Sequence, residues 1–98
     1  MKKSQLLLSA QNALLGKITD TMRFITVNLI EDTLFVKVWT NNTPNDVERD
    51  LLSLITTDIC ADISEIMEVK EDFEITTKPY NQLEMKGFLV YMKYENKV

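Results

Sequence analysis

The sequence contains no histidine. That removes the commonest general base and the commonest nitrogen ligand for a transition metal. Its only glycines, Gly16 and Gly87, stand far apart, so no glycine-rich loop exists to cradle a phosphate. The single cysteine, Cys60, cannot close an intramolecular disulfide and has no histidine to activate it as a nucleophile. A lone thiol suits a reducing compartment. No apolar run approaches the roughly 18 residues of a membrane span. The opening Met1-Lys2-Lys3, followed by Leu6-Leu7-Leu8 and Ala10, faintly matches a secretory signal. However, Gln5, Ser9, Gln11 and Asn12 interrupt the roughly 7–15 apolar residues that a signal requires. The expected location is cytoplasmic.

With 98 residues, 45% of them hydrophobic, the chain can fill one core but not two, so a single domain over residues 1–98 is expected. Its charge is unevenly placed. Ten of the fifteen carboxylates lie between Asp46 and Glu74 with only two cations, Arg49 and Lys70; that stretch carries −8 although the whole chain carries −4. Such a field steers a basic partner and raises its association rate. Direct nucleic-acid binding is disfavoured, because phosphate contacts need clustered cations.

The hydrophobic period changes along the chain. Ser4 can cap a helix to about Leu15 with Leu7, Ala10 and Leu14 on one face, and Gly16 supplies the left-handed residue that ends it. From Arg23 the period is two: Ile25, Val27 and Leu29, a turn at Glu31-Asp32, then Leu34, Val36 and Val38. This pattern predicts an antiparallel hairpin. Thr43 as N-cap and Pro44 at the first helical position predict a second helix with Val47, Leu51, Leu54, Ile55 and Ile59 in one arc, ending near Asp62 to Ser64. A strand over about Val69 to Thr77 and another over Phe88 to Tyr94 follow; the latter has Phe88, Val90, Met92 and Tyr94 on one face and Leu89, Tyr91 and Lys93 on the other. The order α-β-β-α-β-β predicts an α+β two-layer sandwich, a four-stranded, mainly antiparallel sheet with two helices on one face.

Carboxylate chemistry has two candidate pairs, Asp46/Asp50 and Asp58/Asp62, each spaced i,i+4 on the second helix. Either could contribute to a Mg²⁺ site, but acids near a helix start are favoured by the dipole in any case. The expectation is therefore no enzyme, no metal and no cofactor. Cys60 is placed away from the Leu51/Ile55 face as a partly covered small residue. Two surfaces could bind. Acid continues past the helix at Glu65, Glu68, Glu71, Asp72 and Glu74 with only Lys70 among them, a sign imbalance that favours a basic partner over a merely solvated helix. Phe24, Phe35 and Trp39, with Leu89 and Tyr91, fall on the sheet face opposite the helices. That face is an aromatic interface unless the 78–87 loop folds over it.

Several segments together resemble small bacterial αββαββ immunity proteins of contact-dependent growth inhibition and related polymorphic-toxin systems. They are Asn12-Ala13-Leu14-Leu15-Gly16, the Arg23 strand opening, Pro44 through Asp50, Asp58-Ile59-Cys60-Ala61-Asp62, and Val90-Tyr91-Met92-Lys93. The departure is Asn41-Asn42-Thr43, where that pattern carries a glycine-bearing turn. The resemblance implies a protein that binds the C-terminal domain of a cognate toxin, often a nuclease, and blocks its active site or substrate path without catalysis. On that reading Asp46, Asp50, Glu65, Glu68, Glu71 and Asp72 make electrostatic contacts, and Trp39 and Tyr91 are apolar anchors. The free protein is then a monomer or weak homodimer. The alternative is a small acidic secretion chaperone that dimerises through the Phe24/Phe35/Trp39 face.

Overall fold

The computed structural model describes residues 3–84 and 86–93. The chain runs α1 (Lys3–Leu14), β1 (Met22–Ile30), β2 (Thr33–Thr40), α2 (Asp46–Asp62), β3 (Glu68–Ile75), a 3-10 turn (Tyr80–Gln82) and β4 (Phe88–Met92). This is the α-β-β-α-β-β order and the α+β layering that the periodicities predict. The expected extension of the last strand to Tyr94 lies outside the described residues.

The sheet is mixed, in the order β3-β2-β1-β4. β1 pairs antiparallel with both β2 and β4, whereas β2 and β3 are parallel. A parallel pair needs a long crossover, and α2 is that crossover. Ile25 and Val27 of β1 and Leu34, Val36 and Val38 of β2 all enter one core with Leu6 and Ala10 of α1 and Leu52, Ile55 and Ile59 of α2. Full burial of each large aliphatic side chain stabilises by roughly 1.5–3 kcal/mol. The hairpin faces therefore lie as the alternation predicts. Gly16, at φ 76°, ends α1, and the Lys17 amide donates to the Leu14 carbonyl at 3.0 Å.

The start and inward face of α2 differ from the expectation. Asn45, not Thr43, is the N-cap: its side chain accepts from the Glu48 amide at 2.8 Å while the Glu48 carboxylate accepts from the Asn45 amide at 3.1 Å. This reciprocal box satisfies two orphan donors, whereas the Thr43 amide donates to Asn42 Oδ1 at 2.9 Å. Beginning there turns Glu48, Leu52, Ile55, Thr56 and Ile59 inward. Val47 and Leu54, expected inside, are exposed, and Leu51 is half-buried. The Asn41-Asn42-Thr43 turn holds without glycine, because the Thr40 hydroxyl donates to the Asn42 carbonyl at 2.8 Å.

Strand order also decides the far face of the sheet. β3 and β4 occupy opposite edges, so the chain between them has to cross the sheet. The helices fill one face, and residues 76–84 and 86–87 cross the other as a strap. A bulge lies between Met22 and Phe24, and Arg23 Nη1 donates to the Thr76 carbonyl at 2.9 Å, which pins the start of the strap. The expected open aromatic face is therefore covered: Phe24 and Trp39 are each only 1% exposed. Phe35 is half-buried and lines a groove of about 1020 Å³ that remains between strap and sheet.

The faces of β4 are corrected too. A second irregularity falls between Ile25 and Thr26, so that Tyr91 lies across from Ile25 and Phe88 across from Val27. Both partners point at the helices, and both Phe88 and Tyr91 pack against the core. Leu89 lies across from Thr26 and Met92 across from Phe24, on the strap side. One extra residue therefore parts Tyr91 from Leu89, and Met92 from Phe88.

Candidate functional site

The acidic segment forms α2, its exit and β3. α2 packs against β3, and its 17 residues span about 25 Å. The crossover starts at the Thr40 end of β2 and returns to the Thr33 end. The acids at the two ends of α2 are thus spread along the whole length of β3.

Asp46 and Asp50 at the start of α2, Glu65 in the connection and Glu68 at the head of β3 are all exposed. None of the four has an ion pair or side-chain hydrogen bond among the described residues. Glu71 and Asp72 lie on opposite faces of the sheet. Glu71 is in register with core-facing Val36, and Asp72 with Lys37. Glu71 accepts from the Thr56 hydroxyl of α2. Asp72 shares the Lys37 ammonium with Glu74, at 3.6 and 3.0 Å. The acids therefore wrap around the β3 edge instead of forming one flat patch.

Neither apolar anchor candidate is presented on this surface. Trp39 is buried under the strap, where its Nε1 donates to the Glu74 carboxylate at 3.1 Å and Lys37 lies 4.8 Å from its ring centre. Tyr91 is half-buried on the helix face at the other end of the sheet order. Burial, reinforced by the Asp20 carboxylate, pushes its phenol up from its ordinary value.

Three acids of the segment tie α2 to its neighbours, and only Glu48 does so from a buried position. Glu48 is buried beneath the start of α2 and accepts from the hydroxyls of Thr19, at 2.6 Å, and Thr21. Burial alone would raise its pKa, yet those two hydroxyls and the Asn45 amide outweigh it and hold the carboxyl below its ordinary value. The sequence signal for this role was the Asn45-x-x-Glu48 box. Asp58 pairs with Lys17 at 2.8 Å, and Asp62 accepts from Ser9 at 2.9 Å. The Asp58/Asp62 pair thus clasps α2 to α1. Among the described residues, no three acidic or thiol groups cluster to hold a metal ion.

Cys60 is half-buried and packs against the core, beside the inward face of α2 and not on its far side as expected. Burial, and then the nearby Glu71 carboxylate, push its thiol up from the ordinary value. A protonated thiol of this kind is a poor nucleophile.

No curated protein matches the sequence at a significant level. The family model described as MafI2 immunity protein matches residues 3–95, which include both helices, all four strands and the whole acidic side. The chain belongs to the MafI2 immunity protein family.

Proposed function

We propose that this immunity protein neutralises a cognate toxin by binding its C-terminal domain directly, and that the α2–β3 side is the surface that meets it. The observation that carries this reading is the set Asp46, Asp50, Glu65 and Glu68, four exposed carboxylates on α2, its exit and the head of β3 that have no ion pair or side-chain hydrogen bond among the described residues. Charges left unpaired on a surface act at a distance and steer a partner of opposite sign. The toxin that fits best is a nuclease, because a groove that admits a phosphate backbone is lined with cations. The acidic side would occupy that groove and exclude its substrate, with no catalytic step. Asp72, Glu71 and their neighbours border the same edge.

Neutralisation of this kind takes place where the toxin meets its substrate, which for a nuclease delivered by contact-dependent growth inhibition is the cytoplasm. No helix among the described residues is long and apolar enough to cross a membrane. The dimeric chaperone reading drew on an exposed Phe24/Phe35/Trp39 face, and burial of Phe24 and Trp39 under the strap removes that support.

The test is co-expression with the toxin domain encoded beside this gene, scoring growth and co-purification. Restored growth with a stable 1:1 complex is expected. Absence of rescue, with the protein purifying as a self-associated dimer, would transfer the reading to the chaperone.

A further inference from the structure

β3 is an edge strand. It pairs with β2 on one side, and no described strand pairs with the other. Its eight residues show the burial of an open edge, with only Phe73 and Glu74 partly covered.

The direction of its backbone groups follows from the bonds at its two ends. The Glu68 amide donates to the Asp32 carbonyl at 3.2 Å, and the Thr76 amide to the Thr40 carbonyl at 2.9 Å. The two bonds are eight residues apart on both strands, so the even-numbered residues of β3 bond to β2. In a parallel pair each residue turns its N–H and C=O to the same side. Val69, Glu71, Phe73 and Ile75 therefore present theirs outward, to solvent.

We infer that this edge receives an extended segment of the toxin as a fifth strand, and that the added strand alternates basic and apolar residues. The inference rests on the toxin-binding reading above. Strand addition draws its affinity from main-chain hydrogen bonds and its specificity from the side chains that alternate to either face. Each face of β3 supplies a different chemistry. On the strap side stand Glu68, Asp72 and Glu74 with Lys70, and Lys37 of β2 pairs with Asp72 and Glu74 at 3.6 and 3.0 Å. The face keeps a net negative charge, with the Glu68 carboxylate unpaired among the described residues, and favours Lys or Arg. On the helix side stand Val69, Phe73 and Ile75, whose side chains match apolar partners. Phe73 and Ile75 also border a groove of about 410 Å³ of mixed character, lined by Pro44, Leu52, Arg49, Ser53 and Glu71 among others, where Glu71 can accept a cation.

Charge on an edge also serves to prevent edge-to-edge aggregation. Two features favour reception of a partner: four of the five charged residues of β3 itself are acidic, and a groove flanks the edge on the helix side. An edge with a net negative charge disfavours pairing with a second copy of itself while it attracts a basic strand.

The test is amide hydrogen exchange, followed residue by residue by NMR, on the free protein and on its complex with the toxin domain encoded beside it. The expected result is that the Val69, Glu71, Phe73 and Ile75 amides exchange fast in the free protein and slow by about tenfold or more in the complex. Lys70, Asp72 and Glu74 are protected in both states. A complex in which the four outward amides exchange as in the free protein overturns the strand addition and leaves neutralisation standing. Failure to form any complex overturns both.

Val69→Pro is the matching variant. It removes an outward N–H without touching a bond to β2, so the protein should keep its circular dichroism and lose about tenfold or more in toxin affinity. Affinity equal to wild type in a folded V69P protein would also overturn the inference.

Discussion

The ring of Phe24 on β1 lies against that of Tyr80 on the strap, with centroids 5.4 Å apart and planes inclined at 59°. Tilted pairs of this kind contribute about 0.5–1.5 kcal/mol beyond their buried area. Tyr80 is still 43% exposed, so its own burial adds little and the contact with Phe24 dominates its role. Tyr80→Ala should therefore lower the unfolding free energy by about 1 kcal/mol in urea, and amides of residues 76–84 should exchange faster. An unchanged midpoint would show that the strap is held by Arg23 without help from Tyr80.

Glu48 links the 19–21 segment to the start of α2, and removing it leaves several donors unpaired at once. Glu48→Ala should cost about 2 kcal/mol or more, the sum of a lost cap and unsatisfied buried groups. The pH dependence has a definite sign. The folded-state pKa of Glu48 lies below its ordinary value, so its contribution is complete above the ordinary carboxylate range and is lost as pH falls through the lower folded value. The stability gap between wild type and Glu48→Gln should shrink as the solution is acidified. A gap that is constant or that widens toward acid would contradict the assignment.

The two glycines predict different costs. Gly87 has φ 96°, and a Cβ there would stand 2.8 Å from the Val27 carbonyl oxygen; Gly16 has φ 76° with nothing within 4 Å. Gly16→Ala carries only the left-handed backbone penalty, about 1–2 kcal/mol. Gly87→Ala adds a clash with backbone that cannot rotate aside, and should cost more and loosen the entry to β4. Chemical denaturation of the two variants side by side ranks them; equal losses would remove the clash argument.

Cys60 should react slowly with a disulfide reagent at neutral pH in the folded protein, because burial and Glu71 both favour its protonated form. Glu71→Gln removes the carboxylate charge and should speed the reaction several-fold, with the fold intact by circular dichroism. A rate that ignores Glu71 would mean that access alone controls the thiol.

Element order and the hairpin faces were legible because period two and helical spacing are local properties of the chain. The start of α2 was misplaced by two residues because Thr43-Pro44 and Asn45-x-x-Glu48 are both valid start signals, and only the Thr19 and Thr21 hydroxyls, distant in sequence, decide between them. The inward face of α2 differs as well, and Glu48, one of the ten acids in the segment's charge, is buried. In β4, Phe88-Leu89-Val90-Tyr91-Met92 is apolar throughout, so nothing in the pattern could reveal a bulge that parts Tyr91 from Leu89. The strap over Phe24 and Trp39 follows from strand order, which a sequence of alternating runs does not contain. The acid-rich side was visible as composition, but its division between free carboxylates and internal partners such as Asp58 and Asp62 required three dimensions.

The central claim is that the acidic α2–β3 side meets the toxin, and association kinetics of the toxin domain with Asp50→Lys/Glu65→Lys/Glu68→Lys tests it most directly. These three carboxylates have no internal partner to lose, so the triple variant should fold normally. At low salt its association rate should fall by about tenfold or more, and the difference from wild type should fade as salt is raised. Association at the wild-type rate at low salt would contradict the account and place the toxin on another face.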